Sequence, residues 1–260
     1  LCPGQTSRGL TDTRVTEMFA ERRASCTNGG IRHRRIPATK NCHGPQADSP
    51  LASWKKLDPE AAMDCSAVAY FFARQLYQTT KVPIGLVCYS VGGSAVEQWR
   101  SARALEPYPA IHNVLGFVGS DEYMKAAGEY DRLLSARWYE TLYRTDEGVR
   151  GNWSDPATDV SDWTVTDMFS SGWQHDERYQ PVNGSVWFTR TFRADGIDTG
   201  RDAVLRLGCI VDADEAYVNG VRVGSAAYQY PPRIYTVPAG TMKEGENVVT
   251  VRIISNQGRP

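Results

Sequence analysis

The chain has 260 residues, a formal net charge of −1, 41% apolar residues and 23% charged residues. That balance is ordinary for a globular protein and argues against a nucleic-acid partner or an anionic membrane surface. No apolar run is long enough to span a bilayer, and the length allows one large domain or two ordinary ones.

Residues 1–65 show weak periodicity and basic patches, "ERR" and "RHRR". From there to residue 125 helix and strand alternate. Val68, Phe71, Phe72 and Leu76 recur at helical spacing and predict an amphipathic helix over residues 66–80. Pro83 stops it, and residues 84–88 form a short buried strand. Gly92-Gly93 follow, then a helix over residues 95–105. In Ser94-Ala-Val-Glu97 the serine and glutamate fit a capping box. The glycine pair would then sit just before a helix N-terminus. Amides there attract anions, and glycine lets a ligand approach the backbone. The alternative is a plain strand-to-helix turn with no ligand. "IHNVLGFVG", residues 111–119, is a short apolar stretch ending in glycine, and residues 121–148 read as a charged helix.

From residue 152 the texture is all-β. Val186, Phe188 and Phe192 share one strand face, and Ala203, Leu205, Leu207 and Cys209 share another. Residues 216–224 form a hairpin whose two-residue turn is Asn219-Gly220. Residues 247–255 alternate again. Short strands separated by turn signals predict a β-sandwich. Trp153, Trp163, Trp173 and Trp187 lie in or near its first part, either as sugar platforms or as core. In "DADEAYVNG", Asp212 and Asp214 are either a sugar- or calcium-binding edge or turn residues bonding their own backbone.

The six cysteines (Cys2, Cys26, Cys42, Cys65, Cys88, Cys209) contain no CxxC, and the four histidines (His33, His43, His112, His175) lack metal-ligand spacing. Asn152-Trp-Ser and Asn183-Gly-Ser are glycosylation-type triplets only if the chain is secreted in a eukaryote.

"DCSAVAYFFARQLYQTTKVPIGLVCYSVGGSAVEQWRS", residues 64–101, resembles the sialate O-acetylesterase family of SGNH-type hydrolases. The likeness runs through Phe71, Phe72, Val82, Pro83, Ile84, Gly85, Leu86, Gly92, Gly93, Glu97 and Trp99. "IRHRRIPATK", residues 31–40, resembles the strand after the family's first helix. "NGSVWFTRTF", "LRLGCIVDADEAYVNGVRVG" and "YPPRIYTVPAGTMKEGENVVTVRI" resemble the galactose-binding-like, jelly-roll sandwich inserted in these esterases. Asp212, Asp214, Tyr217, Asn219 and Gly220 match its most recognisable motif.

The resemblance implies an α/β fold: a partial flavodoxin-like SGNH domain over residues 1–125, a helical connector over 126–150 and a β-sandwich over 151–260. It implies removal of O-acetyl groups from sialic acid or another acetylated sugar, a xylan-like glycan included. Neither cofactor, metal, nucleic acid nor membrane enters. It also implies a secreted, periplasmic or lysosomal setting. Gly93, or Gly92, would donate a backbone amide to the oxyanion hole. The family nucleophile is the serine of "GQSNM". Here "LCPGQTSRG" places Thr6 at that position, with Ser7 and Arg8 in place of the asparagine and methionine. The family's "GESN" and Asp-x-x-His strings do not occur, and neither "NCH" nor "WQHD" substitutes for them. The expectation is therefore the front portion of a longer esterase, its base beyond Pro260. The rival is a non-catalytic carbohydrate-binding relic.

Overall fold

A computed structural model describes residues 21, 24–37, 43–45, 47, 52–166 and 182–255. The chain divides into two compact units, Leu1–Arg132 and Leu133–Pro260.

The first unit is mixed α/β. Strand β1 (Asn28–Arg35) pairs antiparallel with β2 (Lys55–Leu57) and parallel with β3 (Ile84–Cys88), in the order β2-β1-β3. A short helix, α1 (Ala61–Asp64), leads into α2 (Ala67–Thr80). Asp64 fastens α1 to both antiparallel strands, with Arg35 at 3.0 Å and Lys55 at 3.2 Å. Ser66 caps α2 by accepting from the Ala69 amide at 3.3 Å. Lys81, at φ 59°, ends it in the left-handed conformation two residues before Pro83.

The strand over residues 84–88 and the helix form as expected, but the strand is not buried, with Val87 exposed, and the helix turns a different face inward. Tyr70 and Ala73 are buried, with Ala67, Phe71 and Tyr77 packed beside them. Val68, Phe72 and Leu76 are exposed, Phe72 to 65%. The reason lies in β1. The Tyr77 ring occupies the space where a Cβ on Gly30 would stand, so the helix seats its small and aromatic face on the glycine. Cys26, Ile31, Leu57, Ala62 and Cys65 complete this core. His33 is fully buried in β1, and burial lowers its proton affinity.

Residues 95–105 depart from the single helix expected. A 3-10 turn, Val96–Trp99, is followed by extended Arg100 and a separate four-residue helix, α3 (Ala102–Leu105). The apolar stretch over residues 111–119 is helical, within α4 (Pro109–Val118), which starts on a proline and leaves Val114 and Phe117 exposed. Helix α5 (Asp121–Thr145) answers the charged helix expected over residues 121–148, and the division between units falls within it.

In the second unit Asp146 caps a short helix, α6 (Glu147–Arg150). Among the described residues six strands follow: β4 (Gly184–Ala194), β5 (Ala203–Gly208), β6 (Ala213–Val218), β7 (Val221–Ala226), β8 (Arg233–Val237) and β9 (Gly245–Ser255). They form two antiparallel sheets, β4-β9-β6-β7 and β5-β8. The hairpin turn is as expected, Asn219 at φ 49° and Gly220 at φ 82°. Cys209 does not join the Ala203–Leu207 face. Gly208, at φ 73°, turns the backbone first, and the Cys209 thiol is exposed and hydrogen-bonds the Tyr230 carbonyl at 3.3 Å.

Strand register sorts the larger sheet into two faces. Trp187, Arg252 and Glu215 lie side by side in one cross-strand row. Tyr143, Asp146 and Trp153 cover that face. Val186, Ile253 and Asp214 form the adjacent row on the other face, where Asp214 meets Arg233 and Tyr235 of β8. The Tyr235 ring lies where a Cβ on Gly224 would stand, so this glycine lets the two sheets approach. Glycine does the same at 148, whose missing Cβ leaves room for the indoles of Trp187 and Trp153.

Arg252 is the pivot of the covered face. It is fully buried, its Nε donating to Asp146 Oδ2 at 2.8 Å and its Nη1 to Glu215 Oε2 at 3.1 Å. Its guanidinium lies 4.2 Å from the Tyr143 ring centre. Asp146 also accepts from Ser185 Oγ, from Trp187 Nε1 at 3.0 Å and from the Val149 amide at 3.0 Å. Burial alone would raise the Asp146 carboxyl pKa; these donors and the Arg252 charge hold it below its ordinary value. Glu215 takes a further bond from Tyr143 Oη at 2.8 Å, and burial followed by that bond raises the phenol's pKa.

Removing one partner of a buried ion pair strands the other, at a cost of about 3–5 kcal/mol. Arg252→Met is therefore expected to lower unfolding stability by about that amount, measured by urea titration followed by tryptophan fluorescence. A pH effect follows from Asp146. Its folded pKa is depressed, so its stabilising contribution is complete above the ordinary carboxyl value and disappears as pH falls through the folded one. The urea midpoint should thus drop below about pH 4, and Asp146→Asn should flatten part of that drop.

Candidate functional site

The glycine turn sits where β3 leaves the sheet. Gly93 has φ 74°, a conformation that L side chains rarely adopt, and no atom lies within 4 Å of the place a Cβ would take. The requirement for glycine here is conformational rather than steric. Both glycines are exposed.

Ser94 does not cap a helix. Its hydroxyl donates to the Val91 carbonyl at 2.7 Å and accepts from Trp99 Nε1 at 2.9 Å. The Trp99 ring meets Tyr89 edge-on at 5.3 Å. With its oxygen engaged in closing the turn, Ser94 is unavailable to Glu97, and Ala95 takes the cap position without a side-chain bond. The expected capping box is thus overturned, and with it the long helix whose N-terminal amides would gather behind the glycines. What remains is an open backbone turn braced by an indole–hydroxyl bond.

Thr6 and Ser7 lie outside the described residues, as does His175. His43 forms an exposed pair with Asp121 at 3.0 Å. Among the described residues no group of three or more His, Cys, Asp and Glu is placed to share a metal ion.

One pair of groups escaped the sequence reading. These are Cys88, the last residue of β3, and Cys65. The influence of the Cys65 thiol is the main reason the Cys88 pKa falls to about 6; burial opposes it, while the Ser66 amide and the Arg35 charge assist. Cys65 is pushed the other way, by the Cys88 thiol and by burial. No local motif marks the pair, because the helix α2 separates the two residues in sequence.

Asp214 of "DADEAYVNG" has a different fate from either one expected. Asp214 is fully buried in β6, not in a turn, and its Oδ1 accepts from Arg233 Nε at 2.5 Å and its Oδ2 from Tyr235 Oη at 2.8 Å. Arg233, also fully buried, spends its remaining donors on carbonyls: Nη1 on Tyr228 at 2.9 Å and Pro231 at 2.6 Å, Nη2 on Ile210 at 2.7 Å and Asp212 at 3.2 Å. Burial and then the Asp214 bond raise the Tyr235 phenol's pKa. Such an arrangement is a structural node. Asn219 bonds outward from its turn, to the Thr241 carbonyl and Asn247 Oδ1, each at 2.8 Å. Tyr217 stacks on Trp187 with centres 6.2 Å apart, and Trp153 meets Trp163 and Trp187 edge-on at 5.1 and 6.2 Å. Trp173 lies outside the described residues.

No protein-family model matches the chain. Sequence relatives do. A sialate O-acetylesterase from Homo sapiens is 30% identical over 115 residues, covering 41% of this chain and 21% of the relative. One from Mus musculus is 51% identical over 130 residues, covering 50% and 22%. Among solved structures, a carbohydrate acetylesterase from Xanthomonas citri is 30% identical, covers 42% of this chain and 24% of its own, and superposes with a TM-score of 0.35. So loose a superposition carries nothing about the fold, and the kinship rests on sequence. The chain spans about a fifth of the length of the curated relatives it matches. By sequence, then, this chain is similar to about a fifth of the length of the sialate O-acetylesterases.

Proposed function

We propose that this chain is part of a carbohydrate esterase that removes O-acetyl groups from sialic acid or a related acetylated sugar. Its sequence kinship to the sialate O-acetylesterases is the observation that carries this reading. The parallel pair β1 and β3, with a positive-φ glycine just past the strand end, is consistent with it. In this account residues 1–125 belong to the hydrolase domain, residues 126–150 connect, and residues 151–260 form the galactose-binding-like insert. The setting is secreted, periplasmic or lysosomal.

The chemistry is acyl transfer. A hydroxyl at Thr6 attacks the acetyl carbonyl, the Gly93 amide, with Gly92 beside it, steadies the oxyanion, and water then releases acetate from the acetyl-enzyme. Threonine's extra methyl restricts χ1 and crowds the attacking oxygen, so a slow enzyme is expected.

The test is acetate release from O-acetylated sialic acid by the 260-residue chain and by the same chain within its longer protein. Thr6→Ala should reduce release by roughly 10³-fold or more, as loss of a nucleophile does. Gly93→Ala forces a left-handed alanine at about 1–2 kcal/mol and displaces the amide. It should cut kcat about tenfold with little change in KM.

A second reading has its own support. Thr6, Ser7 and Arg8 stand where the family carries its nucleophile motif, and the helix expected behind the glycines is a 3-10 turn. A non-catalytic carbohydrate-binding relic would bind the acetylated sugar in calorimetry without releasing acetate, and Thr6→Ala would change nothing.

A further inference from the structure

A polar cleft of about 210 Å³ opens where α2 passes the start of β1. Because β1 and β3 run parallel, this is the opposite end of the sheet from the glycine turn. The start of β1 contributes Thr27, Asn28 and Ile31 to the lining, and α2 contributes Tyr70, Arg74 and Gln78. The three α2 residues stand four apart and so share one helix face. The strand is irregular here. Between Asn28 and Arg32 its partner on β2 moves only from Leu57 to Lys56, a bulge that takes the first residues of β1 out of regular pairing.

The cleft offers donors and no acid. Ile31 and Tyr70 are buried and give it an apolar base. Arg74 is half-buried, and among the described residues it makes no ion pair. The Asn28 side-chain oxygen already accepts from the Gly30 amide at 2.9 Å, so what this side chain has left to offer is its NH2 group. Gln78 and Thr27 add a further amide and a hydroxyl, and none of the lining residues is a carboxylate. A half-buried guanidinium among neutral donors is complementary to an acceptor-rich anion. Its planar fork matches a carboxylate, and one cation balances one negative charge, which a phosphate dianion would exceed. The amides and hydroxyl suit a hydroxylated body, and Ile31 with the Tyr70 ring suits its C–H face.

We propose that this cleft binds the carboxylate of a sugar acid, at a site separate from the glycine turn. The carboxylate follows from the cleft alone; that the acid is sialic acid rests on the esterase reading.

The experiment titrates the 15N-labelled 260-residue chain and follows its backbone amides and the Arg74 Nε–H by NMR. N-acetylneuraminic acid should shift the signals of Thr27, Asn28, Arg74 and Gln78 saturably. Its methyl ester keeps the sugar without the charge, and acetate keeps the charge without the sugar; each should bind at least tenfold more weakly. Arg74→Gln should weaken the acid at least tenfold. The proposal is overturned if the acid leaves these signals unmoved, if the ester or acetate binds as tightly, if inorganic phosphate binds more tightly than the acid, or if Arg74→Gln binds like the wild type. If that variant does not fold, the comparison of acid with ester on the wild-type chain decides. Acetate release is a separate readout. Binding without release keeps the cleft and defeats the esterase reading; release without binding does the reverse.

Discussion

A buried cation, Arg252, organises the larger sheet of the second unit. Arg252 sits in the middle of the central strand β9, with an acid on the neighbouring strand β6 and another at the cap of α6. A guanidinium without partners at that depth would cost far more than the packing around it returns. The face must therefore be closed by segments that bring carboxylates, and Asp146 and Glu215 do so. The Ser185, Trp187 and Tyr143 donors then fill the remaining lone pairs of those two acids. The Tyr143 and Trp187 rings lie over the Arg252 guanidinium.

The same constraint explains why β6 reads poorly as a strand. "ADEAYV" has little of the alternation expected of a half-buried strand, yet nearly all of it is buried. Glu215 points to one face and meets Arg252; Asp214 points to the other and meets Arg233. Hydropathy treats such acids as surface, because their partners come from strands elsewhere in the chain. Local signals fared better. Pro83 follows the end of a helix and Asn219-Gly220 make a hairpin, both through interactions within a few residues.

The glycine turn shows where local reading stops. Ser94 and Glu97 have the spacing of a capping box, but Trp99 offers the serine a competing partner and the box does not form. Helix α2 shows the same limit: its most apolar stripe faces out because Gly30 opens a seat for Tyr77. Neither Trp99's indole nor Gly30's bare backbone is visible as a preference at the residue it governs. That a glycine turn follows the strand end was legible; the positive φ of Gly93 was not. Thr6, the other half of the expected chemistry, lies outside the described residues.

Arg233 leaves a distinct mark on how this protein can change over time. Each of its N–H groups has an acceptor, and each Asp214 oxygen has a donor. Lysine supplies a point charge without the planar fork, so it cannot serve the same carbonyls. Single replacements at either position strand a buried partner, while a joint swap to apolar side chains of similar bulk avoids that penalty. Lineages that lose the pair should lose both members together, and drift at Asp214 should be slow.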